Sequence, residues 1–341
     1  MFSNPYLIRH ALVAIVIAGL APVAAAQPND PVIVDTAFVK EAKSRGALIW
    51  DVRSQNVYLR GHIPGAVNID SISDVLRDPR TEDYIAISEI ERILGEAGID
   101  ASREMVLYGS KAHPDAYFGY ITMRYLGAAK VAVYHGGIDD WKDGGNAVDT
   151  DLVKLPPTTF TANPDDSLLA TTREVIRKIG DPSVQIVDAR SVSEFTGEDI
   201  RALRGGHVPG AVNIPYEENW IDPDTPRKLA RKQVDNKDGM NLKPRESLQA
   251  MYAQLDPNKE TIVYCQSGSR ASVLAVVLQE LGFGKVRVYD SSWLGYGNTF
   301  DAPAEDVTYF NVGRVNRMIR SLQNQIDLLE GEIEALKARK E

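Results

Sequence analysis

"LIWDVRSQNVYLRGHIPGAVNI" (48–69) returns at 186–214 as "IVDARSVSEFTGEDIRALRGGHVPGAVNI", with a longer insert in its middle. A second pair follows each. "MVLYGSKAHPDAYFGYITMRYLGAAKVAVY" spans 105–134, and "TIVYCQSGSRASVLAVVLQELGFGKVRVY" spans 261–289. Self-similarity on this scale makes the chain two copies of one unit. "ALIWD", "MVLY", "VAVY", "VQIVD", "TIVY" and "VRVY" are short, apolar, β-rich runs and read as buried strands. "AYFGYITMRYLG" and "ASVLAVVLQELG" read as helices closed by glycine. Strand, helix, strand in succession requires a right-handed parallel crossover. The expectation is two tandem α/β domains, residues 30–149 and 168–303, each a mostly parallel sheet flanked by helices. "TDLVKLPPTTFTANPDDS" (150–167) is rich in proline, threonine and aspartate, has no helical period, and reads as the linker.

The 341 residues, 44% hydrophobic and 25% charged, suit about two globular domains with real cores. A net charge of −9 argues against a nucleic-acid surface. A small anion can still bind such a protein through locally placed arginines. Residues 1–26 read as a secretory signal peptide. "MFSNPYLIRH" carries Arg9 and His10, "ALVAIVIAGL" is the apolar core, and "APVAAAQ" supplies small residues for cleavage after Ala26. The alternative, a membrane anchor, fits less well, because the apolar stretch is short and Pro22 interrupts it. The mature protein is expected in the periplasm or outside the cell, with no stable membrane span.

Cys265 is the single cysteine of the chain. Without a second one there is no internal disulfide, no C-x-x-C redox pair and no cysteine zinc site. It follows the strand "TIVY" and precedes the helix "ASVLAVVLQELG". The carboxyl ends of strands are where open α/β sheets bind ligands. A helix N-terminus favours negative charge through its free N–H groups and macrodipole. A thiolate there is expected to be stabilised and nucleophilic. Gly268 allows positive φ, turning the loop N–H groups inward as an anion cradle. The competing reading is a plain buried cysteine.

At these residues the chain resembles the tandem-domain rhodaneses, the thiosulfate and 3-mercaptopyruvate sulfurtransferases. The resemblance rests on "DVR…GHIPGAVNI", "DAR…GHVPGAVNI", "VYHGGIDDW" (133–141) and the loop "CQSGSR", and covers about residues 30–303. It implies that Cys265 carries sulfur as a persulfide from a small anionic donor to cyanide or a thiol, with no metal or organic cofactor. Gln266, Ser267, Gly268 and Ser269 would form the cradle. Arg270, ending the loop, and Arg190, in "DAR", would bind the donor; the fork of arginine suits a multi-oxygen anion. Asp188 either orients Arg190 or caps a turn, and "PRKLARKQ" (226–233) either lines the entrance or is a solvated helix face. His62 and His207 recur in both copies and read as turn and packing residues. The first copy has Gly109 where Cys265 sits and is expected to be inactive, with Lys111 and His113 at its surface. Four residues separate Cys265 from Arg270, against five in related phosphatases and arsenate reductases, which disfavours those activities. Gln266 and Arg270 favour thiosulfate over mercaptopyruvate; a persulfide carrier serving a protein partner is the other class left open.

Residues 311–341 have no counterpart in the repeat. Val312, Val315, Ile319, Leu322, Ile326, Leu329, Ile333 and Leu336 alternate three and four apart, a heptad seam. β-Branched residues at a with leucine at most d positions favour a parallel two-stranded coil, so a homodimer is expected, with a trimer as the next choice. The alternative is an amphipathic helix folded back on its own domain.

Overall fold

The computed structural model describes residues 31–338, so the signal-peptide expectation lies outside the described residues. In the first copy, β1 (Ile33–Val34), β2 (Leu48–Asp51), β3 (Met105–Tyr108) and β4 (Val131–Tyr134) pair in the order β1-β4-β3-β2, all parallel. The second copy begins with β5 (Leu169–Ala170), β6 (Val184–Asp188), β7 (Arg204–His207) and β8 (Val212–Asn213). It continues with β9 (Glu260–Tyr264) and β10 (Val286–Tyr289), giving a parallel sheet ordered β5-β10-β9-β6-β8. Strand β11 (Glu305–Tyr309) pairs antiparallel with β7. Each of the six runs read as strands forms one, in β2, β3, β4, β6, β9 and β10. The central strands β3 (MVLY) and β4 (VAVY) are apolar throughout and buried because helices cover both faces of a parallel sheet.

The helices Pro114–Tyr125 and Ser269–Glu280 follow the central strands of the two copies and pack against each other. Each has its own sheet on one side and its counterpart on the other, so neither keeps a polar face. Phe118, Ile121, Leu274 and Leu278 join one core that runs through both copies. The loops at the two helix starts, Gly109–His113 and Cys265–Gly268, therefore lie at the ends of helices that are fixed to each other.

Residues 152–165 form neither helix nor strand. Thr158 N–H donates to the Gly95 carbonyl at 2.9 Å and Asn163 N–H to the Leu126 carbonyl at 3.0 Å, so the segment is tied to the first copy. The terminal helix runs from Val312 to Ala338 with no buried residue. Its seam is open to solvent from Ile319 to Leu336, with even Ile326 47% exposed. The fold-back alternative is thereby set aside. No described helix is long and apolar enough to cross a membrane.

Candidate active site

Cys265 follows directly on β9 and is 1% exposed. Its Sγ accepts from the Gly268 N–H at 3.2 Å. Its own N–H donates to Ser292 Oγ at 3.1 Å, and Ser292 Oγ–H donates to the Tyr289 carbonyl at 2.7 Å. The carbonyls of Cys265 and Gln266 accept from the N–H groups of Trp293 and Leu294, both at 2.9 Å. The chain after β10 thus clamps the loop from one side. Gln266 is buried, and its Nε2 donates to the Arg201 carbonyl at 2.7 Å, so it braces the loop. Ser267 and Ser269 are half-buried, and Ser269 begins the helix.

Gly268 has φ +90°, a conformation that costs an L side chain strain. A Cβ there would also come within 2.8 Å of Arg77 Nη2 and 3.0 Å of Asp290 Oδ1. Gly268→Ala is expected to lower turnover tenfold or more and cost about 1–3 kcal/mol. Gly282→Ala is the control, since Gly282 has φ +97° but open space around it. It should lose comparable backbone energy and keep its turnover; equal activity losses in the two variants would contradict the close-contact argument.

Arg270 forms a forked pair with Glu194, Nη1 to Oε2 at 2.7 Å and Nη2 to Oε1 at 2.8 Å. Burial opposes its charge, but the Glu194 bonds and the neighbouring Cys265 and Glu217 outweigh this and raise its pKa. The positive charge read for this position is therefore present but shared with Glu194. Burial would raise Glu194 in turn; Arg270, the Ser191 N–H and Arg201 overcome it and hold the carboxylate at about 2. A depressed folded-state pKa stabilises the protein above the unfolded value and is lost as pH falls through the folded one. The wild-type denaturation midpoint should fall between about pH 4.5 and pH 2, losing about 2 kcal/mol after allowance for screening. Glu194→Gln should flatten that stretch of the curve, and an unchanged slope would remove Glu194 as its source.

Arg190 is buried in an ion pair. Its side chain is 1% exposed and its partner Asp188 is 0% exposed. Arg190 Nε donates to both Asp188 oxygens at 3.0 Å, and Nη2 donates to Asp188 at 2.6 Å and to the Gly206 carbonyl at 2.7 Å. The guanidinium lies over Trp293 at 4.6 Å. The cysteine-less copy repeats the arrangement, with Arg53 bound to Asp51 and to the Gly61 carbonyl. The arrangement is thus shared with the copy that has no thiol: Asp188 fixes the Arg190 guanidinium, and Arg190 ties it to the Gly206 carbonyl. His62 and His207 also pack, stacked on Tyr58 at 3.7 Å and Phe195 at 3.6 Å. In the basic run, Lys228 pairs with Asp222 at 2.7 Å and Arg227 with Asp224 at 3.1 Å on an exposed helix.

The first copy retains the shape of the loop without its thiol. Gly109 stands in the cysteine position, and the Ile138 N–H donates to its carbonyl at 3.0 Å, as the Trp293 N–H does to Cys265. Ala112 keeps the left-handed turn of Gly268, with φ +60°. Lys111, expected at the surface, is buried and paired with Asp140 at 2.8 Å, while His113 caps the helix. His135 occupies the place of Asp290. Its Nε2–H donates to the Met240 carbonyl at 2.8 Å, and burial pushes its pKa down to about 4. Each copy reaches over the other: Met240 and Lys237 meet His135 and Asp139 of the first, and Arg77 of the first meets the Cys265 loop of the second.

Arg77 escaped the sequence reading. It lies in "VLRDPRTEDY" (75–84), where no period or motif marks it. Its Nη1 donates to the Ser267 carbonyl and its Nη2 to Asp290. Burial opposes its charge, and Asp290, Tyr84 and Cys265 restore and strengthen it. Burial in turn holds Asp290 up at about 6 against the pull of Arg77.

The single cysteine thus stands at the tip of a parallel strand in an α/β fold, in a loop clamped by backbone N–H groups. The chain belongs to the rhodanese family: the Rhodanese-like domain is matched twice, over residues 35–144 and 171–299. It is similar to a Mycolicibacterium smegmatis protein provisionally named a thiosulfate sulfurtransferase. The two are 35% identical over 262 residues, 73% of this chain and 88% of that protein. A Corynebacterium glutamicum thiosulfate sulfurtransferase is 34% identical over 265 residues, 73% of this chain and 81% of its own. Among solved structures, an Escherichia coli 3-mercaptopyruvate sulfotransferase is 26% identical with a TM-score of 0.65, covering 77% of this chain and 99% of its own. The protein is a sulfurtransferase.

Proposed function

We propose that the protein transfers a sulfane sulfur from thiosulfate to cyanide or a thiol through a persulfide on Cys265. The observation that carries this is the Cys265 sulfur itself, facing the Gly268 N–H at 3.2 Å in a loop bordered by Arg77 and Arg270. The thiolate attacks the outer sulfur of thiosulfate; a new S–S bond forms, the old one breaks, and sulfite leaves with the electron pair. Cyanide then takes the terminal sulfur as thiocyanate, returning the pair to Sγ. This is covalent catalysis by an activated nucleophile. The loop N–H groups and Arg270 supply the complement for a small dianion. The names of the bacterial relatives favour thiosulfate, and the Escherichia coli structure makes 3-mercaptopyruvate the competing donor. Comparing kcat/KM for the two donors, with cyanide as acceptor, decides between them; a higher value for mercaptopyruvate overturns the thiosulfate assignment. Turnover that is slow with cyanide but fast with a partner thiol marks a carrier instead.

We propose further that the protein is exported and dimerises through residues 312–341. The exposed seam supports the second point, because water-exposed Ile319, Leu322, Ile326 and Leu329 gain from burial against a second copy. Light scattering should show a dimer for the full mature chain and a monomer after removal of residues 312–341. A full-length monomer refutes the coil, and a dimer that survives truncation places the interface elsewhere.

A further inference from the structure

The peptide between Ser267 and Gly268 faces two ways. Its N–H donates to Cys265 Sγ at 3.2 Å, and its carbonyl accepts from Arg77 Nη1. In a trans peptide these two groups point in opposite directions, so one rigid plane joins the sulfur to the guanidinium. Arg77 is itself held on several sides. Its side chain is 3% exposed, its Nη2 is paired with Asp290, and its Cζ lies 4.2 Å from the Phe118 ring and 5.6 Å from the Tyr84 ring. Phe118 and Tyr84 belong to the copy that lacks the cysteine, whereas Asp290, Ser267 and Cys265 belong to the other. The inactive copy thus reaches the reacting sulfur through one side chain and one peptide.

We infer that Arg77 is a positioning residue for the catalytic sulfur, aiming and polarising the Gly268 N–H through the Ser267 carbonyl. The inference rests on Cys265 as the sulfur carrier. A charged donor on one end of a peptide strengthens the hydrogen bond made by the other end. The benefit differs between the half-reactions. When the thiolate attacks, stabilising it raises its population but lowers its nucleophilicity, and the two effects partly cancel. When cyanide takes the terminal sulfur, the S–S bond breaks and its electron pair returns to Sγ. There the thiolate is the leaving group, and stabilising it speeds the step. Arg77 therefore acts mainly on sulfur release.

The test loads the full mature protein with thiosulfate, confirms one added sulfur on Cys265 by mass spectrometry, removes the donor, and follows loss of that sulfur to cyanide in a single turnover. Arg77→Met should slow release by roughly ten- to hundred-fold, the size expected for losing a charge-assisted hydrogen bond. Loading should slow by less, KM for the donor should change little, and Arg77→Lys should recover part of the release rate. Arg77→Met also leaves Asp290 unpaired and risks poor folding, so Arg77→Met/Asp290→Asn is made alongside. Slow release in that folded double variant supports the inference. Wild-type release in either folded Met variant, or equal slowing of both half-reactions, overturns it and leaves Arg77 as a tie between the copies. A wild-type protein that takes up no sulfur on Cys265 overturns the carrier reading beneath it.

Discussion

Cys265→Ser is expected to abolish sulfur transfer, by about four orders of magnitude or more in turnover, and to remove the added sulfur seen after incubation with donor. The size follows from the step lost. A serine hydroxyl at this position is not ionised, and an oxygen–sulfur bond does not serve as a carrier in place of a persulfide. The fold should survive, because serine is nearly isosteric and the Cys265 backbone keeps its bonds to Ser292 and Trp293. The buried site will not welcome a hydroxyl, but the Gly268 N–H remains as its partner. The wild-type protein should carry sulfur at a single site. Its first copy has Gly109 and an ion-paired Lys111 where a second thiol would have to act. Activity retained in the serine variant, or a second modified position among residues 100–120, would falsify the one-nucleophile mechanism.

Arg190→Ala is expected to be the most damaging change to stability, at about 3–5 kcal/mol. The reason is what it leaves behind: Asp188 fully buried, with its guanidinium partner gone, and the Gly206 carbonyl without a donor. Stacking on Trp293 is lost as well. Arg190→Lys keeps a charge but not the fork, and should recover only part of the loss. Arg53→Ala gives the comparison, since that pair sits in the copy without a thiol. Both variants should lower the denaturation midpoint, while enzyme still folded under assay conditions keeps its KM for thiosulfate. A stable Arg190→Ala protein with a raised KM would restore the donor-binding role expected from its place at a strand tip.

The duplicated segments, the strand runs and the single cysteine give two α/β copies and one candidate nucleophile without any coordinates. Local pattern suffices for these, because burial on both faces writes continuous apolar strands, and a thiol cannot be replaced by a neighbour of another type. The heptad seam is legible for the same reason, its period being a property of one helix. What pairs with what is a different kind of information. Arg190 and Arg270 carry the same formal charge at similar loop positions, yet one is closed around Asp188 and the other forked with Glu194 beside Cys265. Arg77 lies 190 residues from Ser267 along the chain and meets it only because two helices, buried along their middle turns, lock the copies together. Sequence reports the chemistry a residue can offer; only the tertiary structure decides which partner uses up that chemistry, since ion pairs and shared peptides form between segments that no local period connects.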